Sequence, residues 1–161
     1  MRKTSQIALG AALLALVGVT AAPAQPSRQS AGGAGVVRLA ERGDAPAQTR
    51  LGFMFETGQG VPQNYTEAAY WYRRAAEQGD PNAQYLLGNS FNLGKGVPID
   101  WVQAYIWFNL SASRTRPGDE RKHRITMRDI MASKLGRPLF EEAQNLAILW
   151  RPKPERRSPL K

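Results

Sequence analysis

The chain has 161 residues, a formal net charge of +9 and no cysteine. Hydrophobic residues make up 42% and charged residues 22%, ordinary values for one soluble globular domain. These figures exclude a multi-span membrane protein, a collagen-like fibre, a disulfide scaffold and any thiolate chemistry.

Arg2 and Lys3 precede an uncharged apolar run from Ile7 to Val19, and Ala22-Pro23-Ala24 follows. That order is the layout of a secretory signal peptide, with cleavage predicted after Ala24. The run is 13 residues long, whereas a membrane span needs about 20. The sequence therefore predicts a periplasmic or secreted protein with no membrane span once the signal is removed. Residues 25–35 contain Ser, Gly and Pro and read as a disordered linker.

A repeat occupies the middle of the chain. Gly43-Asp44, Ala47-Gln48, Leu51-Gly52, Phe55 and Gly58-x-Gly60-Val61-Pro62 recur 36 positions later. Their counterparts are Gly79-Asp80, Ala83-Gln84, Leu87-Gly88, Phe91 and Gly94-x-Gly96-Val97-Pro98. Tyr65, Ala68, Trp71, Tyr72 and Ala76 recur as Trp101, Ala104, Trp107, Phe108 and Ala112. A shared interval with no gap defines units at 43–78 and 79–114.

Each unit reads as two helices. In helix A, Ala47, Leu51, Gly52 and Phe55 fall on one face at helical spacing. Asp44 and Asp80 stand at its N-cap, and Gly58 and Gly94 at its end. Helix B starts after Asn64 or Asp100, where Glu67 and Gln103 predict a capping box. It carries Ala68, Trp71, Tyr72 and Ala75 and closes at Gly79. The aromatics Tyr70, Trp71, Tyr72, Trp101, Tyr105, Trp107 and Phe108 are read as core, not as a ligand cage, because they recur at helical spacing.

The flanks are shorter or irregular, as expected of units that cap a stack. Val36 to Arg42 reads as the last turns of a truncated helix B. A helix from about Asp119 to Lys134 presents Met127, Ile130, Met131 and Leu135. Pro138 opens a last helix, with Leu139, Ala143, Leu146, Ala147 and Trp150 predicted to face inward. These form capping helices over 119–150, and 151–161 is read as a basic, disordered tail. The predicted fold class is all-α: a solenoid of about six or seven helices.

The unit Gly-Asp-x-x-Ala-Gln-x-x-Leu-Gly-x-x-Phe followed by Gly-x-Gly-Val-Pro resembles the Sel1-like repeat, a relative of the tetratricopeptide repeat. The ending Glu142-Ala143-Gln144-x-Leu146-Ala147-x-x-Trp150 is similar to the C-terminal capping helices of bacterial proteins of that family. The resemblance runs from Val36 to Trp150. It implies a solenoid that binds protein partners, and no reaction. Some exported members regulate signalling. A cysteine-rich branch has been linked to penicillin binding, but it pairs cysteines within each repeat, and this chain has none.

The residues carry little chemistry. His123, the one histidine, lies in the basic run Arg121-Lys122-His123-Arg124, a poor setting for a metal. Glu141-Glu142 are adjacent on a helix, so their carboxylates diverge. Gly58-x-Gly60 follows a helix and lacks the Gly-Lys-Ser/Thr ending of a phosphate loop. No catalytic residue, metal site or cofactor is predicted. The enzyme alternative is a cell-wall-active hydrolase or penicillin-binding protein; it needs a nucleophile beside a base, and the sequence offers none.

Charge is uneven along the chain. From Gln25 to Ser113 seven basic residues face seven acidic ones; from Arg114 to Lys161 the numbers are thirteen and six. Two surfaces are therefore candidates. The A helices differ between units at Arg50 against Leu86, Phe53 against Asn89, and Met54 against Ser90, and these six residues are the predicted protein or peptide contacts. Arg114, Arg116, Arg121, Lys122 and Arg124 form a predicted basic patch for an acidic partner or an anionic envelope surface. Nucleic acid is not an expected partner of an exported protein. The sequence thus predicts a non-enzymatic interaction module in the periplasm, with docking through the basic patch as the alternative.

Overall fold

A computed structural model of the chain describes residues 28–155. Seven helices follow one another: α1 (Arg28–Glu41), α2 (Ala45–Thr57), α3 (Tyr65–Gln78), α4 (Pro81–Leu93), α5 (Trp101–Arg114), α6 (Asp119–Lys134) and α7 (Arg137–Leu149). There is no strand among the described residues. Each helix packs on the next in chain order as far as α6, and α7 folds back onto α5. α2 and α3 form the first helix pair, α4 and α5 the second. The predicted signal peptide lies outside the described residues.

Local chemistry sets the boundaries. Asp44 and Asp80 accept the backbone N–H of Ala47 and Ala83 at 2.9 and 2.7 Å. Asn64 accepts from Thr66 and Glu67, and Asp100 accepts from Gln103. The capping boxes are only half made, because the N-cap N–H groups are already in use. Asn64 N–H donates to Phe55 O at 2.8 Å and Asp100 N–H to Phe91 O at 3.0 Å. This backbone bond ties the start of each B helix to its own A helix, and Glu67 and Gln103 are left without that role.

Gly96 shows why the loop sequence is fixed. Its φ is +74°, and a Cβ there would stand 2.0 Å from Tyr65 O. The turn thus needs a left-handed residue and also touches the first turn of α3.

Buried glutamines staple one pair to the next. Gln48 Nε2 donates to Ala40 O at 3.0 Å, and Gln84 Nε2 donates to Ala76 O at 3.1 Å. Each bond adds a second donor to a carbonyl at the end of the preceding helix, which also accepts the N–H of Gly43 or Gly79 at 3.0 Å.

The core has two parts. Ala40, Ala47, Leu51 and Met54 fill the α1–α2 side. Tyr72, Leu87, Phe91, Ile106, Phe108, Leu110 and Met131 dominate the larger part. Phe55 packs against both. Burial pushes the Tyr72 phenol well above its ordinary pKa, and the Tyr72 O–H donates to Glu56 at 2.7 Å.

Several expectations are corrected. α1 spans Arg28–Glu41, longer than the truncated helix expected from Val36 to Arg42. Tyr70 and Trp101 are exposed, at 51% and 42%. They lie beside cations rather than in the core: Arg74 sits over Tyr70 and Lys134 over Trp101. Leu139 and Leu146 are also exposed. α7 approaches α5 through the small residues Ala143 and Ala147, and among the described residues no helix follows to cover its far side. Finally, 151–155 is not a free tail, as described below.

Candidate partner-binding surfaces

The A helices α2 and α4 bury one face through Leu51, Gly52, Leu87 and Gly88. Their opposite faces carry the predicted contacts. Phe53 is 44% exposed and Arg50 is exposed beside it. On α4, Leu86 and Asn89 are half-buried, and Leu93 is exposed one turn on. The seam between α4 and α6 is polar. Tyr85 Oη meets His123 Nε2 at 2.8 Å, and Lys134 Nζ donates to Asn92 Oδ1 at 3.2 Å.

Met54 and Ser90 leave this surface. Met54 packs in the α1–α2 core and lies against Gly33 and Gly60. Ser90 is buried, and its hydroxyl donates back to Leu86 O. Both occupy the edge of the A-helix face, where a neighbouring helix covers them.

The basic patch does not assemble as predicted. Arg124 is buried at 4% exposure. Its guanidinium donates to Pro81 O, Ser111 Oγ, Asn82 Oδ1 and Glu120. It is therefore a buried strut joining α6 to α4 and α5. Arg114 lies 4.5 Å from the Trp150 ring centroid. Lys122 pairs with Asp119, with both side chains largely in water. Arg121 is half-buried, and only Arg116 and Lys122 remain as exposed cations without a structural duty beyond a surface ion pair.

The C-terminal segment forms an arrangement that the sequence did not suggest. After α7 it runs back along the edge where B helices turn into A helices. Trp150 packs edge-on against Trp107, with centroids 6.2 Å apart. Pro152 lies beside Gly79, and Lys153 N–H donates to Glu77 O at 2.7 Å. Glu155 then enters a clamp. Arg74 Nε donates to its Oε1 at 2.8 Å, and Arg74 Nη2 and Gln48 Nε2 donate to its Oε2 at 2.6 and 3.0 Å. The Arg74 hydrogen bond holds the Glu155 carboxyl below its ordinary pKa against the opposing effect of burial. Among the described residues no cluster of His, Asp and Glu could hold a metal ion, and no helix is long and apolar enough to cross a membrane.

A family model described as Sel1 repeat matches residues 45–80 and 81–115. The chain carries two Sel1 repeats. A solved structure of a protective antigen present in uropathogenic Escherichia coli strains, displaying an SLR fold, is similar at 31% identity with a TM-score of 0.69. The match covers 75% of this chain and 25% of that one. A Sel1 repeat protein from Oxalobacter formigenes is similar at 32% identity with a TM-score of 0.52, over 53% of this chain and 66% of that one. This chain thus spans about a quarter of the first structure's length. A search among curated proteins found no match.

The two Sel1 repeats differ at the Glu155 clamp. Gln48 and Gln84 are equivalent and both bond back to the preceding helix, but the position of Arg74 is taken by the buried Leu110 in the second repeat. The glutamine is thus common to both repeats and the arginine belongs to the first alone. The one trace of the site in the sequence, which gives no partner for it, is that Glu155 is the single acid among the five cations of residues 151–161.

Proposed function

We propose that this chain is a non-enzymatic protein-interaction module of the periplasm, which reads a peptide or small domain with the exposed face of its A helices. The Sel1 repeats support a protein partner. The observation that carries the choice of face is Phe53. This large aromatic is left 44% exposed on the A-helix face that also carries the exposed Arg50, and it belongs to neither core cluster. Aromatics in such a setting supply much of the energy of protein interfaces. The compartment rests on the signal-like start of the sequence, Arg2 to Ala24.

A photo-crosslinker in place of Phe53, in an exporting cell, tests both parts. The expected result is a protein adduct in the periplasmic fraction, lost when Asn89 is also changed to Arg. Recovery of the uncleaved chain in the cytoplasm overturns the compartment. Normal binding by a folded Phe53→Arg, Asn89→Arg variant, with loss in an Arg116→Glu, Lys122→Glu variant, overturns the face.

A further inference from the structure

The edge crossed by residues 150–155 has the parts of a peptide-binding site. Its carboxylate receptor is built independently of the segment that fills it. Gln48 is fixed by Ala40 O and by Gln78, whose Nε2 donates to Gln48 Oε1 at 2.7 Å. Arg74 lies 4.7 Å from the Trp71 ring centroid and 5.7 Å from that of Tyr70, which pre-orients the guanidinium. Glu77 O is free of any helix duty, being in the last turn of α3, and offers a backbone acceptor. Gly43 and Gly79, both at positive φ, keep the two turns bare, so that an extended backbone can lie across them. A Cβ at Gly43 would stand 3.1 Å from Glu155 Cβ.

The repeat fold does not need this clamp, because the second repeat does without it. Leu110 replaces Arg74 there, and Gln84 Oε1 has no partner. A bidentate Arg–carboxylate pair with an amide donor is a recognition geometry, since the fork fixes both the position and the plane of the carboxylate.

We propose that this edge is a binding site for an extended partner peptide bearing a glutamate three residues after a proline, and that the chain's own Pro152–Glu155 segment occupies it as an internal competitor. The segment displays the required ligand: Pro152 on Gly79, a backbone N–H to Glu77 O one residue on, and the Glu155 carboxylate in the Arg74–Gln48 fork. A tethered occupant competes at an effective concentration of the order of millimolar. A partner must therefore bind more tightly than that tether, or act once the segment is released. This site lies apart from Phe53 and does not depend on the A-helix reading.

The test uses full-length protein and a fluorescein-labelled synthetic peptide, acetyl-Arg-Pro-Lys-Pro-Glu-amide, with anisotropy as the readout. A Glu155→Lys variant places a cation against Arg74 and should release the segment. This variant is expected to bind the peptide at least tenfold more tightly than the unchanged protein. A peptide ending in Gln should bind tenfold more weakly than the Glu peptide. Adding Arg74→Leu, the residue the second repeat uses, should abolish binding. Circular dichroism of each variant reports whether it is folded; should Glu155→Lys fail to fold, Glu155→Gln takes its place. A folded, released variant that ignores the peptide overturns the proposal. So does equal binding of the Glu and Gln peptides. A concentration-dependent dimer of the unchanged protein that the peptide does not dissociate would assign the edge to a second copy and overturn the partner reading.

Discussion

Phe108 fills the space that a side chain on Gly88 would need. A Cβ there would stand 2.9 Å from two of its ring carbons, and at the equivalent Gly52 it would stand 2.6 Å from the Tyr72 ring. Both glycines lie inside A helices, where alanine is the better helix former by about 1 kcal/mol. Close packing of A on B opposes that preference. Gly88→Ala should destabilise the protein by about 1–3 kcal/mol, as overpacked cores do. Gly35 is the control, since nothing lies within 4 Å of a Cβ built on it in α1. Gly35→Ala should stabilise by about 0.5–1 kcal/mol. Thermal or urea unfolding of both variants gives the signs directly.

Leu51 and Leu87 are equivalent positions of the two repeats and are 1% and 0% exposed. Leu→Ala at either should lower stability by about 2–5 kcal/mol. An unchanged urea midpoint for Leu87→Ala would contradict its placement at the centre of the larger core.

Arg124 and Lys122 are two residues apart and should behave oppositely. Removing Arg124 takes the donor from Ser111 Oγ and one of two donors from Pro81 O, which keeps the Ser111 hydroxyl at 2.6 Å, a loss of about 1–3 kcal/mol. Arg124→Lys should rescue little, because one ammonium cannot serve four acceptors on different elements. The Lys122 side chain is 78% exposed, and Lys122→Ala should change stability by less than about 0.5 kcal/mol. Equal effects of the two alanine variants in a denaturant titration would contradict the buried strut.

Glu155 and Tyr72 should each make the stability depend on pH, in opposite ranges. Glu155 is held below its ordinary pKa, first by its hydrogen bond from Arg74. Its contribution is therefore present above the unfolded value, about 4.3, and is lost as pH falls through the folded value. Tyr72 is held above its ordinary pKa, first by burial and then by Glu56. Its contribution is present below the unfolded value, about 10, and is lost as pH rises further. Glu155→Gln should flatten the acid limb and Tyr72→Phe the alkaline limb. Unfolding midpoints measured from pH 3 to 11 separate the two.

The sequence by itself determined the helix pairs, because the signals that form them are local. Asp44, Asp80, Asn64 and Asp100 satisfy N–H groups two or three residues away, and Gly58, Gly79 and Gly94 end helices at the residue where they stand. Leu51-Gly52 and Leu87-Gly88 repeat because every pair solves one packing problem, so a fixed interval exposes them. The candidate surface was legible only in part. Phe53 and Arg50 lie at the middle of the exposed face, where helical period suffices. Met54 and Ser90 lie at its edge, where burial depends on how closely the next helix approaches.

Tertiary structure alone decided the rest. Arg124 sits in a basic run, and its acceptors Pro81 and Ser111 are 43 and 13 positions away. Glu155 and Arg74 are 81 positions apart and share no periodic pattern. A repeat reports contacts that recur at its own interval. These two arginines make contacts that occur once, between elements brought together by the stacking itself, and no spacing in the chain encodes them.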